Sequence, residues 1–273
     1  MKFFRYKEDI VPTALIVALF VLDLVVFFVV ENISILIVWL VLTALPKIFI
    51  CSWNHHHQHL PTFHQKLLNR ALEIVYAFHT GITTNAWVLH HVLGHHLNYL
   101  DQTRDESGWK RKDGAVMSEA EYTWTIAVTG YLRAFRVGLR HPKIQRGFIG
   151  MGALVLVLLS GFVYLNPLNA LTVFMIPMLV GYVVTCWHTY YHHAGLDTDD
   201  HFKASHNIMH SWYNLFTGNL GYHTAHHIKP GLHWSRLPEF HATIADKIPP
   251  ELYVEPFVPL KWLPCKNSSQ AAS

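Results

Sequence analysis

The sequence predicts an all-α membrane protein, with four transmembrane helices in two hairpins and a cytoplasmic helical cap that carries a histidine-rich di-metal site. Three observations point there. Of the 273 residues, 51% are hydrophobic and only 14% charged, against roughly 25% charged residues in an ordinary soluble domain. The apolar residues collect in four long stretches that form two close pairs, and the 22 histidines are clustered rather than scattered. The composition also excludes classes. Disorder, collagen and coiled coil fail because apolar content is high, Gly and Pro are ordinary and no heptad persists. Cys51, Cys186 and Cys265 lie far apart, so neither a disulfide framework nor a cysteine zinc site is expected, and a reducing compartment suits them. A net charge of +3 without a basic, aromatic-laced stripe points to no nucleic-acid partner.

The first span is read at residues 10–30 and the second at 33–51, with Glu31 and Asn32 as the tight turn between them. A span of this length covers about 30 Å at 1.5 Å per residue, the thickness of a bilayer core. The third and fourth are read at 147–165 and 170–190, joined by Asn166, Pro167, Leu168 and Asn169. Lys2, Arg5 and Lys7 ahead of the first span resemble a signal peptide's basic start. That span is too long, lacks a cleavage site and runs into a second one, so it is expected to stay as an anchor.

Residues 1–273 are therefore read as a single integral-membrane domain. Its termini, metal site and cap (52–146 and 191–265) are expected on the cytoplasmic side, because all 21 Lys and Arg fall on the side of the long polar segments. Trp53 and Trp187 are expected as interfacial anchors at the span ends. Asp23 lies mid-span with no cationic partner evident at that depth, which favours a neutral or packed role. Leu67 to His91 reads as helix interrupted by Gly81, Thr83 and Thr84. Ser118 to Arg140 reads either as a membrane-surface helix with Arg133, Arg136 and Arg140 toward headgroups, or as a helix packed on the cap. The tail Lys266 to Ser273 is expected to fray.

Random placement of 22 histidines would give about two adjacent pairs; six occur. On a continuing helix His55 and His59 share a face at i and i+4, and His91 and His95 repeat that spacing, with His96 turned about 100° away. A doublet of this kind can address two metals. Trp187 to His193 forms a third cluster and His223, His226 and His227 a fourth, at i, i+3 and i+4. His64, His79, His141, His201, His233 and His241 read as ordinary surface or core residues. His206 and His210 are read the same way despite their i, i+4 spacing. Imidazole suits zinc, copper, iron and nickel alike. Eight or nine candidate ligands exceed the three that a catalytic zinc needs, so two metals are indicated. No Glu-x-x-His motif of the soluble di-iron bundles is present.

These boxes resemble the membrane fatty acid desaturase and hydroxylase superfamily, with its HxxxH, HxxxHH and HxxHH forms at His55 to His59, His91 to His96 and His223 to His227. The run Asn219 to His227, followed by Pro230, Trp234 and Leu237-Pro238-Glu239, is similar to the desaturase branch. Gly94 before the doublet, and His193-Ala194-Gly195-Leu196, are similar to the alkane monooxygenase branch. The resemblance implies two non-haem irons held by His55, His59, His91, His95, His96, His193, His223, His226 and His227. His56, His57, His90, His188 and His192 would be alternative ligands or would orient the nine by hydrogen bonds. Where some desaturases carry an asparagine one turn before the extra histidine, this chain has Thr189.

By the same resemblance the chain is an oxidoreductase that uses O2 to introduce a double bond into an acyl chain carried on lipid, coenzyme A or acyl carrier protein. An apolar channel among the spans would suit that substrate. No HPGG segment of a fused cytochrome b5 occurs, so electrons would come from an external carrier such as a ferredoxin or rubredoxin. Membrane lipid is the expected surrounding. Hydroxylation, or decarboxylation to a terminal alkene, are the alternatives within the superfamily. A metal or haem transporter is the alternative outside it, and would place its ligands near the midplane along a path.

Overall fold

Four helices of the computed structural model, which describes residues 3–257 and 260–264, are long and apolar enough to cross a membrane: Lys7–Val29, Ile33–His59, Pro142–Leu165 and Pro167–His193. Only 11–39% of the most apolar window of each is buried. The outward rows of Leu, Val, Ile and Phe therefore need a hydrocarbon solvent. We label the helices α1 (Ile10–Val29), α2 (Ile33–His59), α3 (Lys66–Thr80), α4 (Glu119–Gly138), α5 (Pro142–Leu165), α6 (Pro167–His193), α7 (Ser211–Thr217), α8 (His223–Ile228) and α9 (Leu237–Ala242). No β-strand occurs among the described residues. Cys265, and the tail expected to fray, lie outside them.

Both hairpins form as expected, and their turns are tied together. Asn32 caps α2 by accepting from Ser34 N, and Asn166 caps α6 by accepting from Asn169 N, with Pro167 in the first turn. Asn169 then donates to the carbonyls of Phe27 and Val30 at 2.9 and 2.7 Å. These are C-terminal carbonyls of α1 that a helix end leaves without an internal partner. Phe27, Phe78, Phe162 and Phe174 pack edge-on beneath this tie.

α3 slots between α1, α2 and α6 and ends where the sequence signalled a break. Gly81 has φ +68°, and a Cβ there would lie 2.3 Å from the Met178 carbonyl oxygen. Glycine alone fits both the left-handed turn and the close approach. The spans at α2 and α6 run on past the expected ends at residues 51 and 190, to His59 and His193. Both helices thereby carry their histidines out of the bundle at the same end.

That extension corrects the reading of Asp23 and Lys47. Lys47 sits twelve residues before the end of α2, about 18 Å inside, and not among the cations of the polar face. Its ammonium lies 2.8 Å from Asp23 Oδ1, with both side chains 1–2% exposed. Asp23 therefore has a cationic partner. Oδ1 also accepts from Trp39 Nε1 at 2.8 Å, and Lys47 donates to the Val173 carbonyl at 3.2 Å. Val173 lies in a π-helical turn of α6, Ala170–Met175, where the widened winding frees carbonyls from the regular ladder.

α4 packs one face on the rest of the protein, as the second of its two readings expects, and leaves the other face apolar and exposed. Tyr122, Ile126, Gly130, Ala134 and Val137 are buried, while Trp124, Val128, Leu132, Phe135 and Leu139 are exposed as an apolar stripe. Arg133 departs from the headgroup reading. Its guanidinium turns inward and donates to the Glu106 carbonyl at 2.9 Å.

Removing one partner of a buried ion pair costs about 3–5 kcal/mol, because the other charge is left unpaired. Lys47→Met is expected to lower the thermal unfolding midpoint sharply in detergent micelles. Adding Asp23→Asn, which keeps the acceptor for Trp39, is expected to recover much of the loss. A double variant no more stable than the single one would mean that the charge pair is not what holds α1 to α2.

Candidate metal centre

Four stretches deliver nine imidazoles to one end of the bundle. The last turn of α2 supplies His55 and His59 from one face. The next stretch, Val88–His96, winds as a π-helix, and this overturns the expected pairing of His91 with His95. A π-helix closes i→i+5 bonds, so His91 and His96 come to one side, with Nε2 atoms 3.0 Å apart. His95, its ring stacked 5.1 Å from that of His91, presents its nitrogen to His193 and His227 instead. Gly94 permits the packing around this turn, since a Cβ there would meet Glu106 Cγ at 2.6 Å. α6 supplies His193 and α8 supplies His223, His226 and His227. Asn207 fixes α8 by accepting from Thr224 N and donating to Thr224 Oγ1.

The rings form two groups. His55, His59, His91, His96 and His226 each present a nitrogen, all within 4.8 Å of one another, and His95, His193 and His227 do the same. His223 joins the second group through His193, at 3.0 Å between Nε2 atoms. Other Nε2 separations are 2.9 Å for His55 and His91, 3.1 Å for His96 and His226, and 3.3 Å for His95 and His193. Metal–imidazole bonds of about 2.0–2.1 Å place adjacent donor atoms about 3 Å apart.

Hydrogen-bond accounting makes the same point. His193 Nδ1 faces the Ala204 carbonyl at 2.9 Å and His95 Nδ1 faces Asp105 Oδ1 at 2.8 Å. Both partners only accept, so both Nδ1 atoms carry the proton. In the neutral rings the two Nε2 atoms then point lone pairs at each other. His59 Nε2 and His227 Nε2 are buried with no hydrogen-bond partner at all. A cation within each group would satisfy these atoms, so the donor set fits metal.

Burial, reinforced by neighbouring imidazoles, pushes His91, His96, His223, His226 and His227 well below the usual histidine range. They stay neutral near pH 7, the form that binds metal.

The five histidines expected to orient these ligands by hydrogen bonds have other partners. His56 Nε2 pairs with the Thr217 carbonyl, His57 Nδ1 with Thr62 Oγ1, and His188 and His192 both with Tyr213 Oη. His192 touches the site by stacking face to face on His223 at 3.8 Å. His90 is turned to an apolar cavity. Helix geometry is the reason, since adjacent residues point about 100° apart. Thr189 donates to its own helix, at Thr185 O. His79, His233 and His241 are buried outside the cluster, and His64 and His201 are exposed. His206 and His210 bond the Tyr191 and Leu263 carbonyls, and His141 precedes α5 as its N-cap.

Two residues were missed. Asp105, with its side chain 1% exposed, holds His95 and accepts from Ser107 N at 2.7 Å. Tyr99 lays its ring 4.4 Å from that of His227, and its hydroxyl pairs with His201 Nδ1. Asp105 lies in a polar, turn-rich run that reads as solvated loop. The available signal was chemical: a ligating histidine needs an acceptor for its second nitrogen.

The first group opens on two unlike cavities. An apolar one of about 50 Å³ has His55, His91, His193 and His223 in its wall, with Phe49, Val184 and Phe257. A polar one of about 20 Å³ lies behind His59, against Asp9 and His233, large enough for one water.

Asp105→Asn keeps the shape but not the charge, and is expected to weaken metal binding by about 10–100-fold, measured by competition with a chromophoric chelator. Acid acts on the metal-free protein through the same rings. Their folded values lie below the ordinary 6.5, so the unfolded chain takes up protons first as pH falls. Stability present above about pH 6.5 is therefore lost below it, which denaturant titrations between pH 7.5 and 5 would measure.

A family model described as fatty acid desaturase matches residues 4–257. No curated protein and no solved structure matches the chain. The match covers nearly the whole sequence, includes all four spans and all nine clustered histidines, and makes a multi-pass membrane protein of the chain. The protein belongs to the fatty acid desaturase family.

Proposed function

We propose that the chain is a membrane-bound non-haem di-iron desaturase, which uses O2 and electrons from an external carrier to introduce a double bond into an acyl chain. The observation that carries this is the convergence of nine imidazoles into two groups beside an apolar cavity, in a chain of this family. His55, His59, His91, His96 and His226 would hold one iron, and His95, His193, His223 and His227 the other. Bound iron would supply reductive activation of O2 and removal of hydrogen from an unactivated methylene.

The chain's own part is positioning. Asp105 and the Ala204 carbonyl hold the protons of His95 and His193 on Nδ1, which keeps each Nε2 aimed inward. The apolar cavity walled by Phe49, Val184 and Phe257 excludes water and presents a methylene to the histidine side. Four of the clustered histidines, two from each group, border that cavity, so a chain lying in it meets both groups. We place the termini and the metal centre on the cytoplasmic side, where a soluble ferredoxin or rubredoxin could deliver electrons. Non-enzymatic transport fits less well, because the ligands collect at one end of the bundle instead of along a path through it.

Lipids and headspace gases of cells expressing the protein, analysed by gas chromatography with mass detection, test the reading. A new acyl double bond is expected. A hydroxylated chain or a terminal alkene would move the assignment to hydroxylase or decarboxylase. His226→Ala is expected to abolish product and iron content while still inserting in the membrane, and unchanged product would remove His226 from the site.

A further inference from the structure

Building on the desaturase reading, we infer that the acyl substrate enters sideways from the bilayer, through the seam between α4 and α6, with Tyr182 as its gate. An outward-facing groove of about 820 Å³ runs along this seam, lined by Ala127, Val128, Leu179 and Val183. That volume lies within the range of about 300–1,000 Å³ usual for ligand sites. Its upper rim is polar, where Trp187 Nε1 donates to Glu119. The rest of it continues the exposed apolar stripe of α4, so its mouth opens on hydrocarbon and not on water.

Behind the groove stands a partition one side chain thick. Tyr182 lines both the groove and an inner apolar cavity of about 50 Å³. Val184 lines both the groove and the cavity walled by His55, His91, His193 and His223. The two inner cavities adjoin at Trp87, Thr185 and Thr189. Tyr182 fits the seam because residue 130 is glycine; a Cβ there would lie 2.6 Å from its hydroxyl oxygen. That hydroxyl reaches the Ile126 carbonyl at 3.5 Å, long for such a bond, and its other polar partner is the weakly bonding Cys186 thiol, so only modest polar energy opposes its rotation. With Tyr182 turned aside, groove and inner cavities join into one apolar path ending at the histidines. The occupant is an acyl chain already dissolved in the membrane, as a free fatty acid or a lipid, and not one presented from water on a soluble carrier.

Photolabelling tests the route without requiring turnover. The purified full chain, in phosphatidylcholine vesicles containing palmitic acid with a mid-chain diazirine, is irradiated and its labelled peptides mapped. Labels are expected on groove residues of α4 and α6 and on Thr185 or Thr189 within. Ala127→Trp, which fills the groove, is expected to slow the inner labelling by about tenfold, the scale on which access variants change association rates. Circular dichroism and metal content should be unchanged. Tyr182→Ala is expected to speed inner labelling, which keeps the test decisive if Ala127→Trp misfolds. Inner labelling unaffected by either variant, or seen only when the same chain is supplied as a water-soluble thioester, would overturn the lateral route. If labelling follows the expected pattern but expressing cells make no oxidised acyl product, the desaturase reading fails and the binding path stands.

Discussion

Two imidazole nitrogens facing each other, Nε2 of His95 and Nε2 of His193, are the constraint from which the rest of the site follows. Asp105 and the Ala204 carbonyl keep the proton of each ring on Nδ1. In the neutral rings the Nε2 lone pairs, at 3.3 Å, then repel unless a cation lies between them. The same tension recurs in the five-histidine group, where buried His59 Nε2 has no partner. Buried polar groups without partners are costly, and a fold that gathers them from four separate stretches gives up stability that a bound metal would return.

The scaffold serves this convergence by aligning the ends of α2 and α6. The Asn169 tie at the opposite end sets how the two hairpins stand against each other, and the Asp23–Lys47 pair joins α1 to α2 within the bundle, with Lys47 also reaching α6 at Val173. Both are polar contacts in an apolar surrounding, where a misplaced partner is expensive and register is therefore well specified. Beyond the bundle, Asn207 and the close approach at Gly94 bring α8 and the Asp105 loop onto the same point. Cavities of opposite character, one mainly apolar and one polar, adjoin the first group at His55 and His91 and at His59.

The spans, their pairing and the histidine clusters could be read directly, because hydropathy and residue identity are local properties. Helix ends were harder. The second span was read to end at residue 51, with Pro46 and Lys47 as interruptions near its end, whereas Lys47 is buried well inside a helix that runs to His59 and pairs there with Asp23. The π-helical winding at Val88–His96 was likewise hidden. Its periodicity over nine residues is indistinguishable from an α-helix by spacing alone, and it decides whether His95 or His96 sits with His91. Asp105 was invisible for the opposite reason. Nothing local distinguishes it from Asp101 or Asp113, and its role arises from a loop that folds back over Gly94. Neighbouring histidines such as His56 and His90 share composition with the ligand candidates but point to other partners.

The most direct test of the central claim is an anaerobic titration of the purified metal-free protein with ferrous iron, followed by X-ray absorption at the iron edge. Two equivalents bound per chain, in a nitrogen-dominated shell with an iron–iron vector, is the expected result. Saturation at one equivalent, or a shell dominated by oxygen, would contradict the account.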